Sequence, residues 1–135
     1  MYLLDTDTVI YSLKAHPIVI GNLSLHVDDP LGVSAITLME LYYGAFKSQQ
    51  PTANLAKVRG VENALRVWDV QADGAEVFGM LKAQLEREGE RLDDFDLAIA
   101  ACALTHNLIL VTNNIEHFGR IQGLRIENWA KASGD

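Results

Sequence analysis

"DDFDLAIAACALTHNLILVTNN", residues 93–114, holds a helix and a strand with almost nothing between them. Asp93 is a good N-cap, and Asp96 falls in the first turn, where the helix dipole favours an acid. The alanines that follow are small enough to let the helix lie close against a sheet. Leu108 to Val111 then form a short strand that is apolar throughout. Such a strand is buried on both faces, as in parallel sheets with helices on each side.

The same alternation continues outward from this unit. At the start of the chain, Tyr2-Leu3-Leu4 reads as a buried strand, and Asp7 is the expected cap of a helix from Thr8 to about Lys14. Pro17 opens a second helix, PIVIGNLSLHV, and Asp28-Asp29-Pro30 signals a turn. LGVSA is a second strand. Ser34 caps the helix ITLMELYYGAFK, which places Leu38, Leu41, Tyr42 and Ala45 on one face. SQQPTAN reads as a loop. LAKVRGVENALRVW reads as a helix with Leu55, Val58, Val61, Leu65 and Val67 as its apolar stripe. WDVQ is a third strand, DGAEVFGMLKAQLEREGE an amphipathic helix, and LRIENW the last strand. The fold class expected is α/β, a parallel sheet covered on both faces. Its ligand site lies beyond the carboxyl ends of the strands. Asp5 follows the first strand there, and Thr112-Asn113-Asn114 follows the fourth.

At 135 residues the chain suits one domain, 1–135, with one core. Its longest apolar run, Leu97 to Leu104, is far shorter than the ~20 residues of a membrane-spanning helix. Asp5 and Asp7 stand where a secretory signal needs a basic region and an apolar core. Cys102 is the single cysteine, so no internal disulfide forms. It reads as a buried, inert thiol, and these features fit the cytoplasm. The net charge of −7 argues against broad, non-specific binding to nucleic acid, which needs Lys and Arg against phosphates. It leaves room for a nuclease with its acids concentrated in one metal site, and for a basic partner.

Asp5, Asp7, Glu40 and Asp96 stand apart from the other acids because they adjoin apolar runs. Each has a structural reading: Asp7 as a cap, Glu40 as the far end of a Thr37-x-x-Glu40 capping box, Asp96 as a first-turn acid. Together those readings weaken. Two carboxylates about 4 Å apart repel by roughly 4 kcal/mol at an effective dielectric of ~20. That is a large share of the ~5–15 kcal/mol that holds a domain folded. Gathered at one sheet end, Asp5, Glu40 and Asp96 share protons or take a cation. Hard oxygen ligands without cysteine or clustered histidine select Mg²⁺ or Mn²⁺. His16, His26, His106 and His117 lack zinc-like spacing. Asp5-Thr6-Asp7-Thr8-Val9 also fits the D-x-D-x-[TV] start of haloacid-dehalogenase phosphatases. That reading fails on order, because the only late acidic pair, Asp93-Asp94, precedes the strand-end Thr112.

LLDTDTVIY (3–11), VSAITLMELYYGA (33–45), residues 93–114 and GLRIENW (123–129) together resemble, in order and separation, the PIN-domain ribonucleases. More narrowly, they are similar to the VapC-type toxins of bacterial toxin–antitoxin pairs. The resemblance implies a PIN-like domain, with a five-stranded parallel sheet and helices on both faces. It implies an RNA-hydrolysing pocket in which Asp5, Glu40 and Asp96 hold Mg²⁺ or Mn²⁺. Many relatives carry a fourth acid where this chain has Asn114, which is placed with the catalytic set. Thr112 becomes a polar neighbour and Asp94 a secondary ligand, while His117 receives no role. Lys47, Lys57 and Arg59 are candidates for contacting RNA. A cognate antitoxin is expected in a groove lined by MELYYGAF and the following helix. Tyr42 and Tyr43 diverge by about 100° around a helix, so one of these aromatics, or Phe46, is free for a partner or for the second copy of a homodimer. The competing reading is a non-catalytic PIN-like protein-binding module.

Overall fold

Two to four residues are enough for each strand here because every one is paired along its length. β1 (Tyr2–Leu4), β2 (Leu31–Ser34), β3 (Arg66–Trp68), β4 (Ile109–Val111) and β5 (Ile126–Glu127) form one parallel sheet in the order β3-β2-β1-β4-β5. The computed structural model describes residues 1–131; the end of the expected domain, 132–135, lies outside them. Between the strands run α1 (Thr6–Leu13), α2 (Pro17–Leu25), α3 (Ala35–Lys47), α4 (Pro51–Ala64), α5 (Ala72–Arg87), α6 (Asp94–Thr105) and α7 (Ile115–Phe118).

Alternation along the strands divides the interior in two. Leu3 and Leu110, paired across β1 and β4, pack with Leu81 and Leu85 of α5, Leu97 and Ile99 of α6, and Phe118. Leu4, Val33 and Val111 point the other way, onto Val9, Leu38, Leu41, Val58 and Val61. Ala100, Ala101, Cys102 and Ala103 are fully buried, so the small residues of α6 do bring that helix close. The chain runs outward from β1 through β2 to β3, then returns to the other side of β1 for β4. The direction therefore reverses between β1 and β4, and a cleft opens at such a switch point beyond the strand ends. Asp5 and Thr112 are the residues that follow those two strands.

Some boundaries differ from the expectations. Pro51 begins α4, so the loop is Ser48 to Gln50 only. α4 ends at Ala64, and Leu65 and Val67 lie beyond it, yet both still pack on the same core. Their apolar spacing suits a helix, but their burial is achieved by the turn into β3. The third strand therefore starts before WDVQ, at Arg66. The short helix α7 lacks the length for a readable period.

Gly32 sets how β2 and β3 meet. A Cβ there would stand 2.6 Å from Trp68 Nε1 and 2.8 Å from the Arg66 carbonyl oxygen. That oxygen belongs to the paired strand and cannot step aside, and Trp68 is held by the Arg66 guanidinium 3.6 Å above its ring. Gly32→Ala is expected to cost about 1–3 kcal/mol, in the range for overpacking. A lowered urea midpoint at unchanged slope would register it; an unchanged midpoint would mean that Trp68 yields freely.

Candidate active site

Asp5 follows β1 and donates its N–H to the Val111 carbonyl at 3.0 Å, which ties it to the end of β4. Its backbone is still extended, and its Oδ1 accepts from Thr8 N at 2.9 Å. Asp5, not Asp7, is thus the N-cap of α1. The reason is geometric: the cap is the last extended residue, and β1 stops at Leu4. Asp7 lies exposed in the first turn. Asp5 is 5% exposed. Burial pushes its carboxyl above the usual range, against hydrogen bonds from Thr112 and Thr8 that favour the charged form. Thr112 also accepts the Asn114 N–H at 2.9 Å. That hydroxyl thus ties the end of β4 to the residue that caps α7.

Glu40 comes from α3. Ser34 caps this helix, its Oγ accepting from Thr37 N at 3.0 Å, so Thr37 is interior and no Thr37–Glu40 capping box forms. Glu40 then sits in the second turn, half-buried, with Oε1 accepting from Thr6 Oγ1 at 2.6 Å. Asp96 comes from the first turn of α6, capped by Asp93, whose carboxylate accepts from Phe95 N at 3.2 Å. The Asp96 carboxyl is pushed up to about 6, first by its own burial and then by the charges of Asp93, Glu40, Asp5 and Asp7. The fold thus brings the acids of three elements within electrostatic reach of one another.

Among the described residues, no ion pair reaches this cluster. The pairs present are His26–Asp29, Lys82–Asp94 and Arg120–Glu90. Asp94 is therefore engaged by Lys82 at 2.9 Å, and it does not number among the charges raising Asp96. His117 is exposed on α7. The Asn114 side chain forms no hydrogen bond to another described residue; its backbone alone joins the network.

The donor set suits a hard divalent cation: carboxylates with hydroxyl support, uncompensated by Lys or Arg, and without sulfur or imidazole. Among the described residues no three acid, histidine or cysteine side chains form a ready-made cage.

Two grooves flank Glu40. One, of about 660 Å³, is lined by Ile10, Met39, Tyr43 and Phe95, with Asp7 and Lys47 at its edges. The other, of about 260 Å³, runs between α1, α3 and α4 past Leu13, Leu41, Val58 and Lys57. Tyr43 and Phe46 are about two-thirds exposed, at 66% and 65%. Tyr42 turns instead to α4 and donates to Glu62 Oε1 at 2.7 Å. Lys47 lies over the Tyr43 ring, 4.8 Å from its centroid. The hydroxyls of Thr6 and Thr37 are the site residues that sequence reasoning missed. Their only signal is position: Thr6 stands between two acids, and Thr37 one turn before Glu40.

A parallel α/β domain with an unneutralised acid cluster at its switch point defines a class, that of acidic-pocket α/β domains. The PIN-domain family model matches residues 2–124. Ribonuclease VapC2 of Haemophilus influenzae is 41% identical over 128 residues, covering 95% of this chain and 97% of that protein. The tRNA(fMet)-specific endonuclease VapC of Shigella flexneri is 39% identical, covering 96% and 98%. Among solved structures, VapBC2 of Rickettsia felis bound to a promoter DNA fragment matches with a TM-score of 0.88 at 36% identity, covering 95% of this chain and 98% of that one. DNA-bound VapBC of Salmonella typhimurium matches at 0.87 and 40% identity, covering 95% and 97%. The chain belongs to the PIN-domain family and, within it, to the VapC group.

Proposed function

We propose that this chain is a Mg²⁺- or Mn²⁺-dependent endoribonuclease toxin, acting on RNA through Asp5, Glu40 and Asp96 and silenced by a cognate antitoxin. The observation that carries the reading is Asp96, raised to about 6 by burial, by the Asp93 cap of its own helix and by acids from two other segments, with no cation paired to any of them among the described residues. A bound divalent ion supplies water activation and charge neutralisation at the scissile phosphodiester. The chain's own residues prepare the place. Asp5 is held by its cap bond from Thr8 N and by its own N–H on the Val111 carbonyl, so its carboxylate is a fixed ligand. Asp96 accepts no side-chain hydrogen bond from a described residue and adapts to what binds. Lys47 and Lys57, at the edges of the two grooves, are placed to meet RNA phosphates, and Arg59 lies further along α4.

The antitoxin belongs in the grooves beside Glu40, where Met39, Tyr43 and Phe95 offer apolar surface. A tail Arg reaching the acids would compete with the metal. A homodimer covers the remaining exposed aromatics, and the cytoplasm is the compartment. Purified chain with Mn²⁺ and a tRNA, the substrate class named for the Shigella relative, tests the reading. Metal-dependent cuts lost in Asp5→Asn support it. A folded chain that binds antitoxin yet cuts no RNA would be a non-catalytic binding module instead.

Asn114 is the catalytic-set member without charge. Its replacement by Asp is expected to tighten Mn²⁺ binding several-fold, since an added negative charge near the cluster attracts a divalent ion even in a water-like dielectric. Calorimetry with Mn²⁺ measures this; unchanged affinity would put Asn114 outside the site.

A further inference from the structure

We propose that Thr6 is the positioning residue for Glu40, its hydroxyl fixing how that carboxylate faces the cluster; the proposal rests on the metal-binding reading above. Thr6 Oγ1 lies 2.6 Å from Glu40 Oε1, the length of a charge-assisted O–H···O⁻ bond. It also lies 3.2 Å from Thr37 Oγ1, which lies 3.4 Å from Ser34 Oγ. Thr6 has one proton, and an ionised carboxylate only accepts. The proton therefore goes to Glu40, Thr37 donates to Thr6, and Ser34 donates to Thr37. All three hydroxyls point their protons toward one carboxylate. Ser34 and Thr37 are 0% exposed, so water does not replace them. The relay starts at the end of β2, passes through the first turn of α3 and ends on the first residue of α1.

Hydroxyl chains of this kind polarise one another and hold a single direction. Here the chain occupies Oε1 and leaves Oε2 to the cluster. Asp5 is held separately, by the backbone N–H of Thr8. Two acids from different elements are thus fixed by different donors. Losing such an outer partner commonly lowers metal affinity 10–100-fold.

The test is Mn²⁺ calorimetry on wild type, Thr6→Val, Thr6→Ser and Thr6→Ala, repeated with Glu40→Ala as background. Thr6→Val and Thr6→Ala are expected to weaken binding about tenfold or more. Thr6→Ser, which keeps the donor, stays within about threefold of wild type. In the Glu40→Ala background, Thr6→Val changes affinity less than about twofold, because the group it aims is gone. Thermal melts of each metal-free variant confirm that the compared proteins are folded, and Thr6→Ala serves if Thr6→Val does not fold. Wild-type affinity in both Thr6→Val and Thr6→Ala overturns the proposal. So does an equal loss with and without Glu40, the signature of a purely structural role. A wild-type chain that takes up no Mn²⁺ overturns the metal reading itself, visible before any variant is compared, and removes the proposal with it.

Discussion

Asp5→Asn, Glu40→Gln and Asp96→Asn each lower metal-dependent RNA cleavage by at least a hundredfold while the fold stays intact. The size follows from what one group contributes when it stabilises charge in a reacting site, about 10²–10³ in rate. Each exchange keeps shape and removes a charge. Asn is as good an N-cap as Asp, so Asp5→Asn still accepts from Thr8 N and α1 still starts where it did. Asp5→Ala is the contrast: it forfeits the cap and about 1 kcal/mol besides. Gln at position 40 still accepts from Thr6. Asn at position 96 relieves repulsion from Asp93, Glu40, Asp5 and Asp7, so its metal-free stability holds or rises. Cleavage rates normalised to folded fraction, together with thermal melts, separate the two effects. Full specific activity in all three folded variants would make these acids structural and sink the catalytic reading.

The sheet and the acids were legible in the sequence for one reason, and the hydroxyls were hidden for another. An apolar run flanked by acids is a local pattern, and Leu3-Leu4-Asp5 and Val111-Thr112 each show it within a few residues. The caps Ser34 and Asp93 are local too, and both stand where expected. The cap of α1 was misplaced by two residues because Asp5 and Asp7 are equally good caps. Only the pairing of β1 with β4 decides between them, by fixing Asp5 N to the Val111 carbonyl. The Thr6–Glu40 bond joins residues 34 apart, and nothing in either neighbourhood announces the other. Asp94 deceived in the opposite sense. It stands two residues before Asp96, yet residues two apart on a helix point about 200° apart, nearly opposite ways, and Asp94 meets Lys82 of α5 instead.

Without metal, this protein is expected to lose stability as pH rises from about 4 to 7; with Mn²⁺, the loss disappears. The Asp96 carboxyl titrates near 6 when folded, against 3.8 for a free side chain. Between those values the folded state holds a proton that the unfolded chain has released. Stability from this group is therefore full below 3.8 and is lost as pH passes through 6. Asp5, also raised, acts in the same direction. At ~1.36 kcal/mol per unit, and discounted because Asp96 is only half-buried, the loss is roughly 1–2 kcal/mol. A divalent ion binds the ionised acids, and at a hundred times its Kd it returns about 2.7 kcal/mol at neutral pH. Near pH 5 it must first displace protons, so its effect shrinks there. Melts at pH 5 and 7.5, with and without Mn²⁺, give the four values that matter. Asp96→Asn should flatten the metal-free slope and blunt the Mn²⁺ gain together, since one carboxylate causes both. Mn²⁺ stabilisation of equal size at both pH values, or undiminished in Asp96→Asn, would place the ion elsewhere on the molecule.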